Sequence, residues 1–138
     1  MGVAIEIARH PGPCWVQADP GAVARIVRIL LDNALRVAPE GSSIALQAHA
    51  DGPWTEIVVR DSGPGVPSAE RELIFERFQR GSSTGGRSGF GLGLAIGREL
   101  AKRMGSTLEL SSDEPPGATF ALRLPATVGA GFEERAPV

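Results

Sequence analysis

A short segment rich in glycine and proline carries one carboxylate at the end of a predicted strand. Asp61-Ser62-Gly63-Pro64-Gly65 directly follows the β-rich run 54–60. A carboxylate in that place can accept a hydrogen bond from an exocyclic amine, which is what adenine recognition requires. Glycines beside it lack Cβ and allow the backbone to approach a flat ring closely. The same composition is typical of a tight turn with a capping Asp, so this segment alone leaves both interpretations open.

A long predicted helix carries an amide side chain near the edge of its apolar stripe, at Asn33. The amide oxygen is a hard ligand of the kind that Mg²⁺ prefers, and Mg²⁺ commonly bridges to phosphates. Arg36 follows three residues later on the same helical face, where it can contact a phosphate. A solvated asparagine at a helix edge is the alternative interpretation.

A glycine-rich segment, Gly89-Phe90-Gly91-Leu92-Gly93-Leu94, runs directly into a second predicted helix. Backbone N–H groups at a glycine-rich helix start form an anion site, which the helix dipole strengthens. The segment is neither a Walker loop nor a dinucleotide fingerprint, because no Gly-Lys-Ser/Thr follows it and a polar loop precedes it. A flexible linker is the alternative interpretation.

Two phenylalanines, Phe75 and Phe78, precede the Gly/Ser-rich stretch 80–88. Spaced three residues apart, they share one helical face and either anchor the hinge of a lid or belong to the core. Arg80 can reach a phosphate when such a lid closes, whereas we expect Arg87 to be a solvated surface charge.

The elements that must position these segments follow from periodicity and turn residues. Asp19 and Pro20 open a helix whose apolar positions repeat every 3.6 residues until Pro39. Strands are predicted at 3–9, 14–17, 43–49, 54–60, 107–112 and 118–124, and further helices at 68–78 and 91–104. Because helices and hairpins interleave without regular alternation, we expect an α+β fold, a two-layer sandwich with a mixed, largely antiparallel sheet packed on helices.

The composition excludes several classes of protein. The 138 residues allow one domain, which we place at 1–125 with a frayed tail at 126–138. Fourteen basic and 16 acidic residues give a net charge of −2, which argues against nucleic-acid binding. The lone Cys14 cannot form a disulfide within the chain or a zinc site. No membrane-spanning run or secretory signal is present, so a cytoplasmic location is expected.

Taken in chain order, these segments resemble the motifs of the catalytic, ATP-binding domain of two-component sensor histidine kinases. The segments 18–20 and 30–36 resemble the N box, 61–65 the G1 box, 74–78 the F box, 89–94 the G2 box, and 117–125 the closing strand. The resemblance covers about residues 3–125 and implies the nucleotide-binding fold that this family shares with gyrase, Hsp90 and MutL.

The resemblance also implies a role for individual residues. Asp61 would accept from the adenine amino group, Gly63 and Gly65 would shape the pocket, and Thr119 would support Asp61 through a shared water. Asn33 would coordinate Mg²⁺, and Arg36 and Arg80 would approach the phosphates. The phosphates would be lined by Gly89, Gly91, Leu92 and Gly93, with Phe75 and Phe78 at the base of the lid.

Three positions depart from the family pattern. Ile29 stands where another Asn is frequent, Val37 where an aromatic residue commonly packs near the nucleotide, and Phe90 where Thr or Ser is frequent. The first two are expected to lower nucleotide affinity or loosen metal geometry, whereas the third is expected to be tolerated.

The phosphoryl acceptor of the family is a histidine on a separate helical dimerisation domain. Neither His10, in a Pro/Gly turn, nor His49, at the end of a predicted strand, has that setting, so we expect both to be surface histidines. The resemblance therefore implies a domain, monomeric on its own, that binds Mg-ATP and supplies the γ-phosphoryl group to a histidine of another domain or chain. The chain would be part of a longer kinase or of a split kinase, with a response regulator downstream.

Other functions remain open on the sequence. One is an anti-sigma-type serine kinase on the same fold, and another is a nucleotide-binding regulatory module without catalysis, which Ile29 and Val37 favour. A gyrase-type clamp is the least favoured, because such machines need further domains.

Overall fold

One five-stranded sheet forms the centre of the fold. The computed structural model describes residues 2–8, 16–66, 68–76, 93–112 and 117–127. The strands are β1 (Ala4–Ala8), β2 (Ser43–Asp51), β3 (Trp54–Arg60), β4 (Thr107–Ser112) and β5 (Thr119–Pro125). Their order in the sheet is β1-β2-β3-β5-β4. Since β1 and β2 pair in parallel and the other three pairs are antiparallel, the predicted mixed, largely antiparallel sheet is confirmed.

The first helix, α1 (Pro20–Val37), has the boundaries that its sequence signals predict. The Asp19 side chain caps it by accepting a hydrogen bond from the Gly21 N–H at 3.0 Å, with proline in the first turn. The helix ends two residues before Pro39, which disfavours helical backbone in the residue before it. The buried positions of α1 are Ile26, Leu30, Asn33 and Ala34.

The second helix, α2 (Gly93–Arg103), packs against α1 and against β4. It ends at Arg103, and Gly105 follows with a φ of +71°, the left-handed conformation that glycine adopts readily. The Gly105 N–H donates to the Lys102 carbonyl and the Ser106 N–H to the Ala101 carbonyl, so these carbonyls of the last turn are paired. Residues 91 and 92 of the predicted helix lie outside the described residues.

The core lies between the helices and one face of the sheet. From α1 and α2 it takes Ile26, Leu30, Leu94 and Ala101, and from the strands Ile44, Val59, Leu108, Phe120, Leu122 and Leu124. Burial of this apolar surface is the main driving force for the two-layer arrangement.

Leu30→Ala is expected to lower the free energy of unfolding by about 2–5 kcal/mol, because Leu30 is fully buried and its loss leaves a cavity. Leu35→Ala is the matched control, since Leu35 lies on the same helix but is 42% exposed. Its cost is expected to stay below about 1 kcal/mol. Chemical denaturation of both variants measures the difference, and equal costs would contradict the placement of the core on this face of α1.

The structure differs from the predicted secondary structure in the stretch that follows the Asp61 segment. The predicted helix 68–78 is wrong: the described part of it forms two short 3₁₀ turns, Ser68–Glu70 and Leu73–Phe75. This stretch makes long-range contacts, such as the hydrogen bond from Arg71 Nη2 to the Leu110 carbonyl at 3.0 Å. A local sequence pattern does not predict contacts of this kind. Residues 77 and 78 lie outside the described residues.

Two further differences concern the predicted strand 14–17 and the residues that follow position 125. Of the predicted strand 14–17, the described part holds an isolated bridge between Val16 and Ala126. The Ala126 N–H also donates to the Pro53 carbonyl at 2.8 Å, so paired backbone extends past the predicted end at 125. The rest of the predicted tail, 128–138, lies outside the described residues. No helix in the described part of the chain is long and apolar enough to span a membrane.

Candidate functional site

Asp61 lies directly after β3, next to the start of β5, and its side chain is held by the backbone around it. Its Oδ1 accepts hydrogen bonds from the N–H groups of Gly63 at 2.8 Å and Ala118 at 3.2 Å. Its own N–H donates to the Ala118 carbonyl at 3.0 Å. The side-chain hydrogen bonds found within the described residues end on Oδ1, and Oδ2 has no donor from that part of the chain.

The electrostatics of Asp61 follow from its burial. The residue is 5% exposed, and this desolvation raises the pKa of its carboxyl above the usual value. The two backbone N–H donors and the Arg60 guanidinium act in the opposite direction but do not cancel the effect of burial on the pKa. A buried carboxylate is suited to accept a hydrogen bond from a ligand amine, because little water competes for it there.

Glycines bring the backbone close to Asp61. A Cβ on Gly63 would lie 2.9 Å from both Cγ2 and the carbonyl oxygen of Val37. A Cβ on Gly117 would lie 1.8 Å from the Asp61 carbonyl oxygen, and the φ of Gly117 is +97°. Gly65, predicted to shape the pocket, also has positive φ, at 83°. A residue other than glycine is therefore disfavoured at each of these positions, either because its Cβ would collide with neighbouring atoms or because the backbone has positive φ.

A small pocket opens beside the Asp61 carboxylate. Its walls are formed by Asn33, Val37, Asp61, Gly65, Val66, Ala118 and Phe120. The structure thus brings together Asn33, Asp61 and Gly65, three predicted site residues that come from separate motifs. Sequence reasoning missed Val66, Ala118 and Phe120, and missed Gly117 beside them. The signal that could have found Gly117 is a glycine placed directly before a predicted strand, where the chain can adopt positive φ.

Asn33 is 6% exposed and lines this pocket from α1. Its Nδ2 atom is buried and has no hydrogen-bond partner within the described residues. A buried amide N–H group without a hydrogen-bond partner lowers the stability of the folded protein, and a ligand in the pocket that accepts from it would remove this penalty. Because the amide also offers one hard oxygen, the residue fits Mg²⁺ that takes its other ligands from phosphates and water. No cluster of three acidic, His or Cys side chains that would form a closed metal site occurs in the described part.

Ile29 and Arg36 flank Asn33 on α1 and have different surroundings. Arg36 is exposed in the last turn of the helix, so its predicted contact with a phosphate remains a prediction. Ile29 packs against α2, since its Cγ2 would be 3.4 Å from a Cβ on Gly93 and its Cδ1 3.8 Å from one on Gly97. The residue that departs from the family pattern therefore occupies the space that two glycines of α2 leave open.

Phe75 and Thr119 lie at the edge of the site. Phe75 is buried and meets Phe120, a wall of the pocket, edge to face, with 6.1 Å between ring centroids and an interplanar angle of 77°. Thr119 is half-buried at the start of β5, paired with Arg60, and its water-mediated support of Asp61 stays a prediction. The Asp61 carboxylate is held directly by the backbone of Ala118 instead.

Several predicted residues lie outside the described residues: Phe78, Arg80, Gly89, Gly91, Leu92, Phe90, Arg87 and His10. Gly93 is described as the first residue of α2. His49 lies in β2 and its Nε2 is 3.0 Å from Oε1 of Glu56 on β3, with 44% of the His49 side chain exposed. The prediction that His49 is a surface histidine is confirmed.

The fold and the pocket together define a class of domain. A mixed sheet carries two helices on one face. At the end of one strand, the buried carboxylate of Asp61 lines a pocket together with Asn33 of α1. Residues 18–128 match the family described as histidine kinase-, DNA gyrase B-, and HSP90-like ATPase. The chain therefore belongs to this ATPase family.

Similar curated proteins carry related names. MprB of Mycobacterium sp. (strain KMS), a signal transduction histidine-protein kinase/phosphatase, is 39% identical over 115 residues, which are 80% of this chain and 22% of the relative. The adaptive-response sensory kinase SasA of Synechococcus sp. (strain CC9311) is 34% identical over 121 residues, 86% of this chain and 32% of the relative. The chain thus spans between about a fifth and a third of the length of these relatives.

Similar solved structures support the fold. The mycobacterial sensor histidine kinase MprB has a TM-score of 0.76 at 32% identity, covering 90% of this chain and 82% of that one. Full-length ShkA in complex with AMPPNP has a TM-score of 0.77 at 30% identity, covering 92% of this chain and 26% of that one. These similarities confirm the predicted fold class and the resemblance to sensor histidine kinases.

Proposed function

We propose that this domain binds Mg-ATP and supplies the γ-phosphoryl group to a histidine on a separate dimerisation domain or chain. The observation that carries the proposal is the buried Asp61 carboxylate, whose Oδ1 accepts from two backbone N–H groups while Oδ2 has no donor among the described residues. The exocyclic amine of adenine is such a donor. The names of the relatives, a histidine-protein kinase/phosphatase and a sensory kinase, favour this function over other ATPases of the family.

Different residues of the site contact different parts of the nucleotide. Asp61 selects adenine by its hydrogen bond, and the apolar walls Val37, Val66 and Phe120 pack on the ring. Asn33 would hold Mg²⁺ through its amide oxygen, and Arg36 and the start of α2 at Gly93 would approach the phosphates. Mg²⁺, when bound, neutralises charge on the phosphates during transfer.

The reaction is an in-line transfer. The bond between the γ-phosphorus and the oxygen that bridges to the β-phosphate breaks as a bond to the acceptor imidazole nitrogen forms, and ADP leaves. The protein contributes mainly positioning and charge neutralisation to such a reaction. The histidine-bearing domain, a response regulator that receives the phosphoryl group and a cytoplasmic location are parts of this proposal. Arg80 and the segment 89–92 enter it by family resemblance.

The first test is calorimetric titration of the chain with ATP and GTP in the presence of Mg²⁺. ATP is expected to bind at least about tenfold more tightly, roughly the value of one well-placed hydrogen bond, because GTP presents a carbonyl oxygen to the Asp61 carboxylate. Chelation of Mg²⁺ is expected to weaken the binding of ATP but not that of adenosine. Absence of ATP binding at millimolar concentration would contradict the proposal and favour a partner-binding module instead.

A second test addresses the acceptor. Labelled ATP is offered together with a histidine-bearing dimerisation domain of a relative, with a variant of that domain that lacks the histidine, and with a serine-bearing partner. Acid-labile label on the intact histidine domain alone is the expected result. Acid-stable label on the serine partner would instead favour a serine kinase.

A further inference from the structure

Arg98 lies in α2 and contacts two other elements of the fold. Its Nε donates to the backbone carbonyl of Leu108 at 3.2 Å, and its Nη2 donates to Glu109 at 2.6 Å, both in β4. Its Nη1 donates to Glu72 at 3.0 Å. The guanidinium carbon also lies 3.9 Å from the centroid of the Phe75 ring. One side chain therefore joins α2 to β4 and to the 3₁₀ turn that carries Phe75.

These contacts are not equal in strength. The ion pairs are partly solvated, because the side chains of Glu72 and Glu109 are 74% and 50% exposed, and such pairs contribute little. The Arg98 side chain is only 24% exposed, and it stacks on a buried ring and donates to a backbone carbonyl. A planar guanidinium can do both at once, whereas a lysine ammonium cannot.

Phe75 connects Arg98 to the candidate site. The Phe75 ring meets Phe120 edge to face, and Phe120 is a wall of the pocket that Asp61 shares. Both rings are buried, at 6% and 4% exposure, so a shift of Phe75 is transmitted to a tightly packed neighbour. Arg98 is thus linked to the adenine side of the site through two aromatic contacts.

Arg98 is linked to the other side of the site through its own helix. It stands five residues after Gly93, the first residue of α2. The proposed function places the phosphates at this helix start. The hydrogen bond from Arg98 to Leu108 is a direct link between α2 and the sheet, and the same helix packs against Ile29 of α1.

We propose that Arg98 is a positioning residue. By joining α2 to β4 and to Phe75, it holds the helix start at Gly93 at a fixed distance from the Asp61 pocket, so that both ends of one nucleotide are bound together. The inference rests on the proposed function. It predicts that the loss of Arg98 affects the phosphate part of the binding more than the adenine part.

The test compares adenosine with ADP as ligands of Arg98→Ala. Adenosine affinity is expected to stay within about twofold of the wild type, whereas ADP affinity falls about tenfold, because the helix start at Gly93 is no longer held at its distance from the Asp61 pocket. The ADP affinity of Arg98→Lys is expected to lie between those of the wild type and Arg98→Ala. Arg103→Ala is the matched control on the same helix, because Arg103 is 73% exposed and pairs only with Glu99 among the described residues; it should behave as wild type.

An equal loss for adenosine and ADP would overturn the inference, because it would indicate general destabilisation. Unchanged ADP binding by Arg98→Ala would also overturn it, as would a loss for Arg103→Ala of the same size. If the wild type binds neither ligand, the proposed function fails, and amide exchange in the nucleotide-free protein then tests the structural link alone. Arg98→Ala should speed exchange of the Phe75 and Glu76 N–H groups but not of those in α1, and unchanged exchange would overturn the inference.

Discussion

Asp61→Asn is expected to weaken ATP binding about a hundredfold while raising the melting temperature of the nucleotide-free domain. The amide oxygen of the new side chain can still accept from Gly63 and Ala118, which fixes its NH₂ group where Oδ2 stands in the wild type. That NH₂ then faces the amino group of adenine, donor against donor. A buried polar mismatch of this kind costs far more than a lost surface hydrogen bond.

The gain in stability follows from the pKa of Asp61. Because burial raises the pKa of this carboxyl above its usual value of 3.8, ionisation is less favourable in the folded domain than in the unfolded chain. The ionised group therefore costs stability at every pH above its folded pKa. As the pH falls through the folded pKa toward the usual value, that cost disappears. The amide carries no such charge at any pH.

The pH dependence provides a readout that general damage to the fold would not produce. The melting temperature of Asp61→Asn is expected to exceed that of the wild type at neutral pH, and the difference should shrink as the pH falls toward the usual carboxyl pKa of 3.8. Other carboxylates titrate equally in both proteins and cancel in the difference. Asp32→Asn is the matched control for the substitution itself, because Asp32 is exposed on α1 and does not line the pocket.

Base selectivity gives the same prediction a second readout. Hypoxanthine carries a carbonyl oxygen where adenine has its amino group, and the NH₂ group that Asp61→Asn introduces can donate to it. The substituted domain is therefore expected to prefer ITP to ATP, the reverse of the wild type, in calorimetric titrations. Wild-type affinity of Asp61→Asn for ATP would contradict the role of Asp61 in recognising adenine.

The parts of the fold that local chemistry determines could be predicted from sequence. The helix α1 carries its own start signal in Asp19 and Pro20, its own stop at Pro39 and a full apolar stripe between them. The strands β2 and β3 are joined by a short turn with glycine at positive φ, so their pairing is local as well. Each of these elements is specified by residues close to it in sequence, and no distant contact opposes it.

The stretch 68–76 shows where local prediction fails. Its pattern favours a helix, but two 3₁₀ turns form, and Arg71, Glu72 and Phe75 all contact elements distant in sequence. Hydrophobic periodicity does not predict such long-range contacts. Likewise, Asn33 was predicted at the edge of the buried face, yet it is 6% exposed because the pocket encloses it. Asp61 was predictable from its motif, whereas its second donor, Ala118, lies 57 residues away.

Gly117→Ala is expected to destabilise the domain strongly and to damage the Asp61 site. The new Cβ would lie 1.8 Å from the Asp61 carbonyl oxygen, which is a backbone atom and cannot turn away. The backbone of Gly117 and Ala118 must therefore move away from Asp61. That movement breaks the pair of hydrogen bonds between Asp61 and Ala118, one to the backbone carbonyl and one from the backbone N–H.

Gly105→Ala is the control that separates the collision with the Asp61 carbonyl oxygen from the cost of positive φ. Both glycines have positive φ, +97° and +71°, but nothing lies within 4 Å of a Cβ on Gly105. The control is expected to cost about 1 kcal/mol of unfolding free energy, as for an alanine in left-handed backbone. Gly117→Ala should cost at least about 2 kcal/mol more, since two hydrogen bonds of a buried group are lost. Denaturation measures both, and similar costs would mean that the contact between the turn before β5 and the Asp61 backbone is not tight.

A binding measurement then connects the fold to the site. Where Gly117→Ala remains folded at low temperature, its adenosine affinity is expected to fall, because Asp61 loses the Ala118 N–H that holds Oδ1 and so fixes the orientation of the carboxylate. Gly105→Ala should bind adenosine as the wild type does, since Gly105 lies at the far end of α2 from Gly93. The residue that orients the adenine-binding carboxylate is thus not a neighbour in sequence. It is a backbone group of the turn before β5, which only a glycine at position 117 allows to approach.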